Sequence, residues 1–292
     1  MPTSSFKHIA LTSRNHFEDK EAILGKIVKI AEAAGATVCI DPDHCDIPSL
    51  KQCKYFEGLK GIDLVLVVGG DGTIFRTVKA LEDFSIPLLT VNKGTLGFLT
   101  ECTTEECPDV LPALIKGEGH IEERQMLTCS VEREGKEVMS GHALNEVVIS
   151  QGAIARLIQL RTKMNGTLLT TFRADGIIIA TPTGSTAYNL SAGGPILHPQ
   201  SCDTIITPIN AHTLSQKPLA VPSDAEIDVE VIHRKSSHED VNVSLTLDGQ
   251  THHQLQREDH IIINKHPEKI RFLKRKEDTF YETLREKLGW GE

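Results

Sequence analysis

A Val-rich apolar run at residues 62–68 leads directly into Gly69-Gly70-Asp71-Gly72-Thr73, and Ile74, Val78 and Leu81 then recur at helical spacing. The run reads as a strand buried on both faces. The recurrence predicts a helix over 73–81 with Thr73 as its N-cap. The glycines therefore occupy a strand-to-helix turn, where backbone is free to reach positive φ and approach a ligand closely. Free N–H groups and the helix dipole at such a turn favour an anion, most often phosphate.

Asp71 is the unexpected residue there. A carboxylate repels phosphate unless it holds a neutralising cation or takes a proton from an attacking hydroxyl. Both tasks point to phosphoryl transfer. No Gly-Lys-Ser/Thr follows, so the turn is not a Walker A loop, and the Gly-x-Gly-x-x-Gly spacing of dinucleotide folds is absent. The plainer alternative is a tight βα turn with Asp71 as a solvated cap.

The flanking sequence sets the turn in an α/β pattern. Residues 7–12 read as a strand. Residues 19–34 read as an amphipathic helix with Ile23, Ile27, Ile30 and Ala34 on one face, closed by Gly35. Residues 37–40 and 85–91 read as strands, and 41–49 as a loop whose His44 and Cys45 are expected at the surface. Alternating strands and helices predict a parallel sheet, with ligands beyond the carboxyl ends of its strands. Asp71 lies at one such end. Asn92-Lys93-Gly94-Thr95-Leu96-Gly97-Phe98 lies at another, where Phe98 and Leu99 either wall a ring-shaped ligand or begin the next core.

Beyond residue 100 the texture changes. A helix at 108–115 precedes β-type alternation, clearest at 241–247, where Val241, Val243, Leu245 and Leu247 alternate with polar residues. Further candidate strands surround Val131, Val138, 147–149, 158–160, 177–179, 205–209, 229–232 and 261–263. Many short strands predict a sandwich-like domain. Thr279 and Glu282 form a capping box for a closing helix with Phe280, Leu284 and Leu288 on one face. So short a helix needs a host surface. The expected organisation is an α/β domain with a parallel sheet from residues 1–100 plus 268–292, to which the last helix returns, and a β-rich domain from 101–267.

Charge and cysteine content narrow the partners. With 31 Lys+Arg against 40 Asp+Glu, the net charge of −9 argues against a nucleic-acid binder. No apolar run is long enough to span a membrane and no secretory-type run opens the sequence, so no membrane partner and a cytoplasmic location with reduced thiols are expected. The seven cysteines lack four-ligand metal spacing.

Two stretches carry chemistry in the second half. Leu144-Asn145-Glu146-Val147-Val148 sets an amide beside a carboxylate, a pairing suited to vicinal ribose hydroxyls; the plainer and commoner alternative is a polar step on an edge strand. Because adjacent strand residues face opposite ways, both reach one ligand only at a strand end or bulge. From Asp175 to Pro195, a strand feeds Thr181-Pro182-Thr183-Gly184-Ser185-Thr186-Ala187-Tyr188-Asn189-Leu190-Ser191-Ala192-Gly193-Gly194-Pro195. So many hydroxyls, glycines and backbone N–H groups suit a nucleotide lying flat against the chain.

Taken in order, Gly69–Thr73, Asn145-Glu146 and Asp175–Pro195 resemble the NAD kinases, in particular the bacterial ATP-NAD kinase family. The likeness extends to Asn92–Thr100 and to Lys287-Leu288-Gly289-Trp290. It implies an active site between an α/β and a β-rich domain, and ATP-dependent phosphorylation of the adenosine 2′-hydroxyl of NAD to give NADP. It makes Asp71 the proton acceptor and has Gly72 touch the dinucleotide, with Arg76 a further candidate on the same helix. Asn145 and Glu146 would hold ribose hydroxyls. Asp175, Thr186, Ala187, Tyr188, Asn189, Leu190 and Ser191 would grip the substrate, and Gln250 would close over it. Arg156 and Arg173 stand where basic residues of the bacterial enzymes meet the ligand. A divalent metal, Mg²⁺, would accompany ATP, and homodimers or homotetramers are implied. Ala211 and Lys217 depart from the family's Pro-His-Thr-Leu-Ser-x-Arg-Pro, and lysine lacks arginine's planar fork.

Two other readings share these features. A lipid kinase of the diacylglycerol-kinase type carries a similar glycine-Asp turn, but needs an apolar acyl cleft in place of the hydroxyl-rich run. A non-catalytic NADP sensor would gain nothing from Asp71 beside phosphate.

Overall fold

The computed structural model describes residues 5–44, 46–56, 58–94, 97–152, 157–232, 242–276 and 280–291. Two compact units are formed, Met1–Glu123 with Ile270–Glu292, and Arg124–Lys269.

In the first unit, β1 (His8–Ser13), α1 (Lys20–Ala33), β2 (Thr37–Ile40), β3 (Lys54–Tyr55), β4 (Leu64–Val68), α2 (Asp71–Ala80) and β5 (Leu88–Asn92) follow in turn. Strands β3-β2-β1-β4-β5 lie side by side, all parallel. The chain winds outward from β1 to β3, then crosses back to β4. That places a switch point between β1 and β4, with the glycine turn at the carboxyl end of β4. Every residue of β4 is buried, as a strand with both faces covered requires. Helix α1 buries Leu24, Ile27, Val28 and Ala31 in the core, and Gly35, at φ +94°, follows its end.

Short β6 (Cys102–Thr103) pairs with β5; α3 (Cys107–Ile115) and β7 (His120–Arg124) follow. The domain boundary expected at residue 100 therefore falls at 123/124. The reason is packing: Cys107, Leu111, Leu114 and Ile115 of α3 join the same core as α1, and β7 joins the first sheet.

The second unit is a sandwich of two six-stranded sheets. Its strands are β8 (Leu127–Arg133), β9 (Lys136–Ala143), β10 (Glu146–Gln151), β11 (Ile158–Met164), β12 (Thr167–Ala174), β13 (Gly176–Ala180), β14 (Asp203–Ile209), β15 (Leu219–Pro222), β16 (Ile227–Ile232), β17 (Val243–Leu247), β18 (Thr251–Leu255) and β19 (His260–Lys265). One sheet runs β15-β14-β13-β10-β17-β18, the other β12-β11-β16-β19-β8-β9. Ile177 and Ile179 of β13 face the core shared by the sheets, whereas Ile178 and Ala180 face outward. That outer face is covered by Ala192 and Leu197, which explains why β13 is apolar throughout. Strands β12, β15 and β18, at or near sheet edges, carry no strong alternation and escape sequence reading. Val241 of the expected strand 241–247 lies outside the described residues.

The chain then returns as β20 (Ile270–Lys274), which lies between β5 and β7, and ends in α5 (Phe280–Leu288). Glu101 secures this return. It is 1% exposed, pairs with Lys274 Nζ at 3.0 Å, and accepts the Arg275 backbone N–H and Nε at 2.8 and 3.0 Å. Thr279 of the capping box lies outside the described residues.

Candidate active-site residues

The helix after the glycine turn begins earlier than expected. Gly70 is the N-cap of α2, Asp71 its first residue, and Thr73 is buried in its first turn instead of capping it. The close approach is at Gly69, where a β-carbon would collide with the Thr73 side chain. β-carbons on Gly70 and Gly72 would meet nothing within 4 Å. Internal packing therefore does not demand glycine at those two positions. The N–H groups of Asp71 and Gly72 occupy the first two helical positions, where an α-helix supplies no acceptor of its own.

Asp71 reaches solvent at its edge, yet the protein around it raises its carboxyl above the ordinary range, with Lys287 of α5 drawing it back down. The second glycine loop comes to the same place, since a β-carbon on Gly97 would stand 3.5 Å from Asp71 Oδ1. Beyond it, Leu99 is buried, while the Phe98 ring lies 6.2 Å from that of Phe280. Arg76 donates to the Ser13 carbonyl at 2.7 Å and to Asn15 Oδ1 at 3.3 Å, tying α2 to the loop after β1.

His44 corrects the expectation for its loop. It is 1% exposed, its Nε2 3.0 Å from Ser13 Oγ and its Nδ1 3.4 Å from Lys20 Nζ. Burial and the Lys20 charge hold its pKa below the usual histidine value. Cys45 lies outside the described residues, and the six described cysteines are unpaired.

In the second unit, Asn145 stands immediately before β10 and Glu146 opens it, so the step lies at a strand end. Both residues are buried. Asn145 Oδ1 and Glu146 Oε2 have no hydrogen-bond partner among the described residues. Leaving such atoms unpaired typically costs about 1–3 kcal/mol each, and a ligand that pairs them removes that cost. Burial, and then the charge of Asp248, push the Glu146 carboxyl up to about 8.

Asp175, between β12 and β13, accepts from Gln151 Nε2 at 3.1 Å and from Asn210 Nδ2 at 2.9 Å. These two supporting residues gave no local sequence signal. Exposed Arg173 precedes it on β12, where its carbonyl accepts the His212 N–H at 2.9 Å. Arg156 lies outside the described residues. Gln250 is exposed, in the turn that follows β17.

The hydroxyl-rich run folds as a 3₁₀ turn, Thr183–Thr186, and a single helical turn, α4 (Tyr188–Ser191). Its polar side chains divide between inside and outside. Ser185 Oγ donates to the Leu197 carbonyl and accepts the Leu197 N–H, at 3.2 and 3.0 Å. Asn189 is fully buried. Its Nδ2 donates to the carbonyls of Ser185 and Pro195, both at 3.0 Å, and its Oδ1 accepts from Thr207 Oγ1 at 2.6 Å. Asn189 is thus an internal strut, whereas Tyr188 and Ser191 are exposed and Thr186, Ala187 and Leu190 half-buried.

A glycine turn whose helix opens with free N–H groups and a carboxylate, and, in the other unit, a buried amide and carboxylate with oxygens unpaired among the described residues, are group types that a nucleotide-dependent phosphotransferase uses. Residues 50–119 match the family model described as the ATP-NAD kinase N-terminal domain, and residues 144–275 match that of the ATP-NAD kinase C-terminal domain. A NAD kinase of Geotalea daltonii is 41% identical over 290 residues, covering 98% of this chain and 99% of the relative. A NAD kinase of Polaromonas sp. is 38% identical, covering 99% and 98%. Among solved structures, yeast NADH kinase complexed with NADH superposes with a TM-score of 0.88 at 26% identity, covering 99% of this chain and 89% of that one. An NAD kinase from Archaeoglobus fulgidus in complex with ATP shares the fold, with a TM-score of 0.73 at 24% identity over 97% and 98% of the two chains. The chain belongs to the ATP-NAD kinase family.

Proposed function

We propose that this protein transfers the γ-phosphoryl group of ATP to the 2′-hydroxyl of the adenosine ribose of NAD, giving NADP. The observation that carries the reading is the setting of Asp71: first residue of a helix, flanked by open glycines, with a carboxyl of raised proton affinity. A ribose hydroxyl is a weak acid, and a general base beside it is typically worth about 10²–10⁴-fold in rate. The 2′-oxygen attacks the γ-phosphorus in line, Asp71 takes its proton, and ADP leaves.

Asn145 and Glu146 hold ribose hydroxyls, which donate and accept at once. Gly72 allows backbone approach. Asp175, steadied by Gln151 and Asn210, contacts the dinucleotide, as do Thr186, Ala187, Tyr188, Leu190 and Ser191. Asn189 serves by holding their loop. Arg76, Arg156, Arg173 and Gln250 complete the set.

Among the described residues, no group of three or more His, Cys, Asp or Glu is placed to cage a metal. That suits Mg²⁺, which is usually bound through one or two carboxylates plus substrate phosphates. Bound Mg²⁺ would offset the triphosphate charge, its ligands being chiefly phosphate oxygens. Unpaired cysteines fit a reducing cytoplasm. No helix among the described residues is long and apolar enough to cross a membrane. Self-association as a homodimer or homotetramer is the state the family likeness implies, and edge strands such as β12 offer backbone groups for it.

The purified chain with ATP, NAD and Mg²⁺ should form NADP, read by a coupled NADP-dependent dehydrogenase. No NADP formation, with phosphorylation of a diacylglycerol instead or of neither acceptor, overturns the reading.

A further inference from the structure

We propose that Asp248 is a positioning residue for the Asn145–Glu146 step, setting the backbone that presents both side chains to the ribose. This rests on the reading above that the step meets NAD. Asp248 follows β17 at φ +49°, a backbone region that non-glycine residues seldom adopt. Its Oδ2 accepts the Leu144 N–H at 2.7 Å, and its Oδ1 accepts those of Asn145 and Glu146 at 2.7 and 3.0 Å. The Asp248 N–H donates in return to the Glu146 carbonyl at 3.1 Å. One carboxylate thus gathers three consecutive amides, a backbone concavity of the kind that binds anions.

The carbonyls of the same segment are fixed from the other side. Thr181 Oγ1 donates to the Leu144 carbonyl at 2.6 Å, and the Thr181 N–H to that of Asn145 at 2.8 Å. The main chain at 144–146 is therefore held on both edges. Two side-chain oxygens there are not: Asn145 Oδ1 and Glu146 Oε2 are buried without partners among the described residues. A fold that commits a carboxylate to the backbone while leaving these two oxygens unpaired has prepared a site in advance of its ligand. Burial raises the Asp248 carboxyl, while the three amide donors act in the opposite direction and favour its ionised form.

Asp248→Asn is a sparing test. One oxygen remains for two of the amides, but an NH₂ group then faces the Leu144 N–H, donor against donor. Binding of NAD to the full chain would be measured by calorimetry for the parent, Asn145→Ala, Asp248→Asn and the double variant, alongside KM for both substrates. Asn145→Ala should weaken NAD. Asp248→Asn should weaken NAD by about 10–100-fold, the scale of misplaced substrate contacts, with KM for ATP within about twofold. The double variant should lose clearly less than the sum of the two single losses, because Asp248→Asn acts partly through the Asn145 contact and only its effect on Glu146 is left to add. Unchanged NAD affinity in Asn145→Ala overturns the underlying reading, and the proposal with it. A weakened Asn145→Ala beside an unaffected Asp248→Asn, equal changes in both KM values, or fully additive losses overturn the positioning role alone. Should Asp248→Asn fail to fold, hydrogen exchange on the parent decides. The amides of residues 144–146 should be protected without NAD, and rapid exchange there overturns the proposal.

Discussion

Gly184 lies so close to the backbone of Asn145 that a β-carbon on the glycine would collide with the Asn145 carbonyl. The hydroxyl-rich run is thereby seated directly on the segment that carries Asn145 and Glu146. Thr181 reinforces the seat, since its Oγ1 also accepts the Gly184 N–H at 3.1 Å. Gly184→Ala must push the two segments apart. The expected cost is about 1–3 kcal/mol in urea unfolding, as for other overpacked positions, with a raised KM for NAD. Parent-like stability and KM together would mean that the seat yields freely.

Asp71→Asn should keep the fold and lose most turnover, by about 10²–10⁴-fold in kcat, since asparagine keeps the shape and removes the base. Steady-state kinetics beside a melting curve separate the two effects. A variant with near-normal kcat would reduce Asp71 to a solvated carboxylate in the first turn of α2.

Glu146 ties stability to pH. Its folded pKa of about 8 lies above that of an unfolded glutamate, near 4.5, so between these values the folded state holds a proton that the unfolded state has lost. This contribution to stability is fully present below about pH 4.5, falls as pH rises, and is gone above about pH 8. Glu146→Gln lacks the titration. Its stability relative to the parent should grow from pH 5 to pH 8 in the absence of NAD and then level off. A constant difference across that range, in denaturant titrations at each pH, would show that Glu146 ionises as a solvated carboxylate.

Arg173 is exposed on β12, two residues before Asp175, whose carboxylate is held by Gln151 and Asn210. The role proposed for this guanidinium is to sense the charge of the nicotinamide ring indirectly, through Asp175 or a phosphate. Arg173→Gly should alter the preference between NAD and NADH, read as the ratio of their kcat/KM values. An unchanged ratio would leave Arg173 without a part in discrimination.

What the sequence determined by itself is local. The strand at 64–68, the glycine turn and the helix behind it follow from a short apolar run, absent β-carbons and a 3.6-residue period, all contained within about twenty residues. The hydroxyl-rich run stands out because an ordinary core has no use for its composition, whereas Asn145-Glu146 by itself reads as readily as a polar step on an edge strand. Tertiary structure alone decided which of those residues face inward. Asn189 reads as a ligand contact and is a strut, because Ser185, Pro195 and Thr207 converge on it. His44 reads as a loop residue at the surface and is buried against Ser13. Helix α3 joins the first unit because its apolar face meets the core of α1, which moves the boundary past residue 100. Asp248 reaches Leu144 across 104 positions, and Asn210 reaches Asp175 across 35. Periodicity records the face a residue occupies within its own element. The partner that waits on that face is chosen only when distant segments pack, and hydrogen bonds of that span leave no trace in neighbouring residues.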